Sequence, residues 1–134
     1  MAGVLVNGGE VIALEALVNK TAPQNLRIKL YSNNITPAEG DTAATYTEAT
    51  ATFGYTDFLL TGATWAGAVA GAPSSIAYAQ QVWTFTGALG NIYGYFYVQT
   101  TSTLLVAAER FSDGPYNIVN NGDQIKVTPT FTQD

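Results

Sequence analysis

Acid–base chemistry in this chain would fall to its carboxylates, and Glu48, Asp57, Glu109 and Asp113 are the candidates. Histidine is absent, which removes the commonest general base, the commonest metal ligand and any Ser-His-Asp triad. Cysteine is absent as well, so there is no thiolate nucleophile, no thiolate metal site and no disulfide framework. Two carboxyls flanking a glycosidic bond could cleave it, but nothing in the spacing of these four selects a pair. Glu109 stands next to Arg110 and reads as half of a structural ion pair. No catalytic residue is assigned. The runs Glu39-Gly40-Asp41 and Asn120-Asn121-Gly122-Asp123 carry oxygens that suit calcium, yet neither follows the spaced ligands of an EF-hand loop. Asn and Asp in turns ordinarily bond the nearby backbone, so both runs read as turns, and neither metal nor cofactor is expected. Gly87 to Gly90 has neither the GxGxxG or Walker spacing nor the lysine of a phosphate cradle.

The aromatic residues are the remaining signal. From Gln80 to Val98 two aromatic-rich runs flank the turn composition Gly87-Ala88-Leu89-Gly90-Asn91. Alternation puts Tyr93, Tyr95 and Tyr97 on one strand face and Ile92, Gly94, Phe96 and Val98 on the other. The stretch reads as a hairpin at the centre of a sheet, with both faces against protein. Trp83, Tyr93, Tyr95 and Tyr97 could stack sugar rings or bases, or line a subunit interface, where Tyr and Trp are enriched. Charged partners for a ligand are scarce nearby, so core or interface is the favoured reading.

The elements around this stretch are mostly strands. Gly3 to Val6 reads as a short edge strand or as a tail that docks on a neighbour, cut off by Asn7-Gly8-Gly9. From Glu10 to Val18, Val11, Leu14, Leu17 and Val18 recur at helical spacing, with Asn7 as the cap and Thr21-Ala22-Pro23 as the stop. Leu26, Ile28 and Leu30 alternate with Arg27, Lys29 and Tyr31 as a strand, and Asn33 to Ala43 reads as a surface loop. Further strands are expected around Phe58-Leu59-Leu60, at Thr64-Trp65-Ala66, over Leu104 to Phe111 and over Asp123 to Phe131. Pro129 cannot donate to a ladder, so the last of these ends at an edge or past its pairing. Short strands with turn signals every 8–12 residues or so indicate an antiparallel β-sandwich or barrel, jelly-roll-like, with one short N-terminal helix. The whole chain, 1–134, reads as a single β-domain, with residues 1–9 as an N-terminal docking arm.

Composition narrows the partners. Charged residues make up 11% of the chain and hydrophobic ones 47%, against about 25% charged in an ordinary soluble domain. A surface so poor in charge fits a protein packed against others. The formal net charge of −5, with only Lys20, Arg27, Lys29, Arg110 and Lys126 as cations, argues against nucleic acid, which is held by clustered Lys and Arg. The N-terminus lacks a basic region ahead of its apolar residues and is not read as a signal peptide. No run of 18 uninterrupted apolar residues exists, so no membrane span is expected.

Several stretches, taken together, carry a resemblance. They are LYSNNITPAE at residues 30–39, AYAQQ at 77–81, ERFSDGP at 109–115 and NGDQIKVTP at 121–129. With their flanks they cover nearly the whole chain, which resembles small, uncharacterised structural proteins of tailed bacteriophages. That family brings no catalytic motif. The resemblance implies a virion component, foremost a capsid decoration (cement) protein whose partner is the major capsid protein. It also implies a homo-oligomer, a trimer in particular, because cement proteins often sit at threefold sites. Ala2, Gly3, Val4, Leu5 and Val6, with Trp83, Tyr93, Tyr95 and Tyr97, are the candidate interface. The alternative is a tail, baseplate or fibre component using exposed tyrosines as a receptor- or glycan-binding platform.

Overall fold

A computed structural model describes residues 3–134. The protein is mainly β, with 36% of residues in strands and 13% helical. Its largest sheet has five antiparallel strands in the order β1 (Val4–Leu5), β8 (Leu105–Arg110), β7 (Gly94–Gln99), β2 (Leu26–Tyr31) and β3 (Phe58–Leu60). Three two-stranded ribbons form the rest: β5 (Gln81–Thr84) with β10 (Gln124–Val127), β4 (Ser74–Ala77) with β11 (Thr130–Gln133), and β6 (Gly90–Ile92) with β9 (Tyr116–Ile118). One helix, α1 (Asn7–Leu17), joins β1 to β2. The five-stranded sheet is open, with β1 and β3 as its edges, so the fold is a sandwich and not a closed barrel.

The alternation in the sequence explains the layering. Ile28, Leu30, Tyr95 and Tyr97 point to one face of the sheet and meet Trp83, Phe85, Ile92, Ile118, Ile125 and Val127 from the ribbons. The opposite face carries Tyr31, Phe96, Val98, Leu105 and Ala108, packed with Val6 and Tyr46. β7 lies between two neighbours and is buried along its whole length. The segment read as a surface loop over Asn33 to Ala43 helps cover the second face. Ile35 and Ala43 pack on it, and the Tyr46 ring just beyond stacks on Phe96 at 5.0–5.1 Å from its aromatic neighbours.

The expected central hairpin does not form. β5 pairs with β10, β6 with β9, and β7 with β2 and β8. After β5 the chain is tied to the β9–β10 turn, with Phe85 donating its N–H to Asp123 and Gly122 donating to Phe85. Local turn composition signals a reversal, but the partner that buries Trp83 and Phe85 sets the pairing. Tyr93 falls in a break between β6 and β7, so it does not share a face with Tyr95 and Tyr97. It packs on the second cluster under the Arg110 guanidinium, 5.1 Å from its ring centroid. The expected strand at Thr64-Trp65-Ala66 is a 3₁₀ turn over Gly62–Thr64 followed by extended chain. The expected last strand is two strands, separated at Pro129. β9 had no strand signal of its own.

Of the segment read as a short edge strand or a docking arm, the described residues 3–9 form the edge strand β1 and the start of α1. Val4 and Leu5 pair with Ala108 and Ala107, Val6 is wholly buried, and Asn7 to Gly9 already form the first turn of α1. Ala2 lies outside the described residues. Asn7 is the first helical residue and not the cap; Val6 holds that position with no side-chain bond. Gly9 lets the helix lie against β8, since a Cβ there would overlap the Val106 carbonyl oxygen and the Leu5 side chain. The helix ends in a Schellman motif. Asn19 adopts a positive φ of 55°, its N–H reaches the Ala16 carbonyl, and the Lys20 N–H reaches the Glu15 carbonyl.

Candidate functional site

The four candidate carboxylates go to three separate places. Glu48 and Asp57 converge on β2, where Lys29 Nζ sits 2.9 Å from Glu48 and 3.5 Å from Asp57, and Arg27 lies 3.0 Å from Asp57. The Tyr55 hydroxyl also donates to Glu48, at 3.0 Å. This is a charge-balanced network on the sheet, two cations against two carboxylates. Glu109 accepts a hydrogen bond from the Tyr95 hydroxyl at 2.6 Å. The expected ion pair with Arg110 is absent from the described residues, because neighbouring strand residues point to opposite faces. Arg110 donates instead to the Ile35 carbonyl and to Asn34, both at 2.8 Å. Asp113 accepts from the Tyr116 hydroxyl.

The oxygen-rich turns hold themselves together. Asp123 accepts the backbone N–H groups of Asn120 and Val119 at 2.9 and 3.0 Å, and these bonds lower its pKa from the usual carboxylate value. Asp41 accepts the Ala38 N–H and the Tyr46 hydroxyl. Among the described residues no three His, Cys, Asp or Glu side chains are gathered as metal ligands.

One concave feature among the described residues is an open groove of about 450 Å³ between α1 and the β4–β11 ribbon. Its walls are Leu5 and Ile12 on one side and Trp65, Ile76 and Phe131 on the other, with Tyr97 and Val106 at the base. The aromatic residues form a continuous chain from groove to core. Trp65 lies 5.1 Å from Tyr78 and 5.7 Å from Phe131, and Phe131 lies 5.0 Å from Tyr97. Glu109 is the one carboxylate among the described lining residues, and the Tyr95 hydroxyl donates to it. The lining is mainly apolar, with amide and hydroxyl groups contributed by Gln24, Asn25, Gln99 and Thr130. Ligand pockets of this kind are mainly apolar, with a few polar groups that fix orientation.

The candidate interface residues are distributed differently. Val6, Trp83, Tyr95 and Tyr97 are core residues of this chain, and Trp83 spends its indole N–H on the Thr56 carbonyl at 2.8 Å. Tyr93 is half-buried under Arg110. Gly3 and Leu5 line the groove and Val4 is half-buried in β1. Burial pushes the hydroxyl pKa values of Tyr95 and Tyr97 well above the ordinary tyrosine value, reinforced in Tyr95 by its bond to Glu109. Trp65, Ile76 and Phe131 were not singled out from the sequence. Trp65 carries a signal that could have found it: it stands alone among Gly62, Ala63, Ala66 and Gly67, with no bulky local neighbour to pack on.

Fold and groove together define a mainly β sandwich with an open, largely apolar groove. Comparison with protein-family models, with curated proteins and with solved structures finds no match.

Proposed function

We propose that this protein is a structural component of a tailed-phage virion, a capsid decoration (cement) protein that binds the mature capsid lattice. The observation that carries the reading is the groove between α1 and β4–β11, apolar and with a single carboxylate in its lining. Such a cleft suits an apolar segment of another protein, and here the occupant is the major capsid protein. The resemblance of residues 30–39, 77–81, 109–115 and 121–129 to phage structural proteins supports the same assignment. A protein that binds only the expanded lattice stabilises it by mass action, and a homo-oligomer engaging several capsomers gains avidity from modest individual contacts. The competing role, a tail or fibre component with a tyrosine glycan platform, draws no support from Tyr95 and Tyr97, which lie in the core.

The test is co-sedimentation of the purified protein with expanded and unexpanded capsids that lack it. Saturable binding to the expanded form alone is expected. Charged substitutions at the groove, Ala68→Asp with Thr132→Glu, should abolish that binding. Both sites are exposed, so stability should change by no more than about 0.5 kcal/mol each. Absence of binding to either capsid form would overturn the cement assignment and move the protein to the tail.

A further inference from the structure

We infer that α1 is a self-association surface, packing antiparallel against the α1 of a second copy of this chain. The helix is apolar on two sides. Its inner side, with Gly9 and Ile12, faces the sheet and the groove. Its outer side carries Val11, Leu14, Leu17 and Val18, exposed at 52%, 65%, 81% and 71%. A helix apolar all round is ordinarily covered on both sides. Val11, Leu14 and Val18 fall at a, d and a of a heptad, the spacing of a helix–helix seam.

Charge placement selects both occupant and direction. In a parallel pair Glu10 would occupy a g position opposite Glu15 at e of the partner, setting like charges together. An antiparallel pair whose twofold axis falls between Leu14 and Glu15 puts Val11 over Val18 and Leu14 next to its own counterpart. The same register brings Glu10 to the Asn19-Lys20 end of the other helix, and it opposes the two helix dipoles favourably. Among the described residues Glu10 has no ion-pair partner, and Lys20 contacts only Glu15, at 3.5 Å. The outer stripe consists of only four side chains, and the largest apolar patch of a typical monomer is itself about 300–600 Å². It falls short of the roughly 800 Å² per partner of a standard interface. The pairing is therefore expected to be weak, with a dissociation constant on the order of 10–100 μM.

The pairing stands apart from the cement assignment, and sedimentation equilibrium on the full chain tests it, over about 5–500 μM. A monomer–dimer equilibrium is expected, and Leu14→Glu should weaken it at least tenfold with an unchanged far-UV spectrum, since Leu14 makes no core contact. Leu59→Glu, at another exposed apolar site on β3, should leave it unchanged. Glu10→Lys and Lys20→Glu should each weaken association and together restore it. A chain that stays monomeric throughout, a dimer that survives Leu14→Glu, or a mass of three protomers would each overturn the proposal. Monomeric Leu14→Glu protein that still decorates capsids would leave the cement assignment intact, which separates the two failures.

Discussion

Tyrosine and carboxylate are paired repeatedly in this chain. Tyr46 donates to Asp41, Tyr55 to Glu48, Tyr95 to Glu109 and Tyr116 to Asp113. With five cations against ten acids, hydroxyls supply the donors that lysine and arginine cannot. The arrangement has a cost at high pH. Burial pushes Tyr31 up to about 12, and the bond to Asp113, ahead of burial, pushes Tyr116 to about 12. Burial raises Tyr46, Tyr55, Tyr95 and Tyr97 as well. A raised folded-state pKa means that the native protein holds its proton where the unfolded chain releases it near 10.0. The contribution is thus complete below pH 10 and is lost as pH climbs toward and past 12. Stability to urea should stay level up to about pH 9 and then fall steeply, because several tyrosines act in the same window. Tyrosinate absorbance for these residues should appear together with unfolding. Their titration in a chain that remains folded would contradict the burial argument.

At the scale of elements, the sequence was legible where periodicity alone decides. The β2 alternation, β3, β7 and β8 stand where the pattern places them, because each buries at least one face in the central sheet. Pairing was not legible, since the partner of Trp83 lies some forty residues away at Ile125 and turn composition carries no record of it. The helix is legible in the spacing of Val11, Leu14, Leu17 and Val18, yet all four are exposed. The sheet-facing side is instead a small-residue contact through Gly9, which a hydrophobic pattern cannot register. That contact makes a prediction. Replacing a helical glycine by alanine usually gains about 1 kcal/mol of helix propensity. At Gly9 the added Cβ meets backbone oxygen and cannot be accommodated by a rotamer change. Gly9→Ala should therefore lower stability by about 1–3 kcal/mol, measured by chemical denaturation. Gly67→Ala, where a Cβ has open space, should be neutral or slightly stabilising.

For the whole molecule, few charges and two apolar surfaces set the kind of association it can make. The groove was not legible in the sequence, because its walls come from β1, α1, the segment around Trp65 and the β4–β11 ribbon, which only the folded topology brings together. What composition did convey was the scarcity of charge, and that has a measurable consequence for binding. Contacts driven by rim charges weaken as salt screens them, over a Debye length of about 8–10 Å near physiological ionic strength. Contacts driven by apolar burial are insensitive to that screening and carry a negative heat-capacity change. If the groove receives an apolar segment of the capsid protein, affinity for expanded capsids should change less than about threefold between 0.05 and 0.5 M salt. Calorimetry at several temperatures should give a binding enthalpy that grows more negative on warming. Affinity that collapses with salt would place the docking surface on the charged residues of β2, around Arg27, Lys29 and Asp57, and away from the groove.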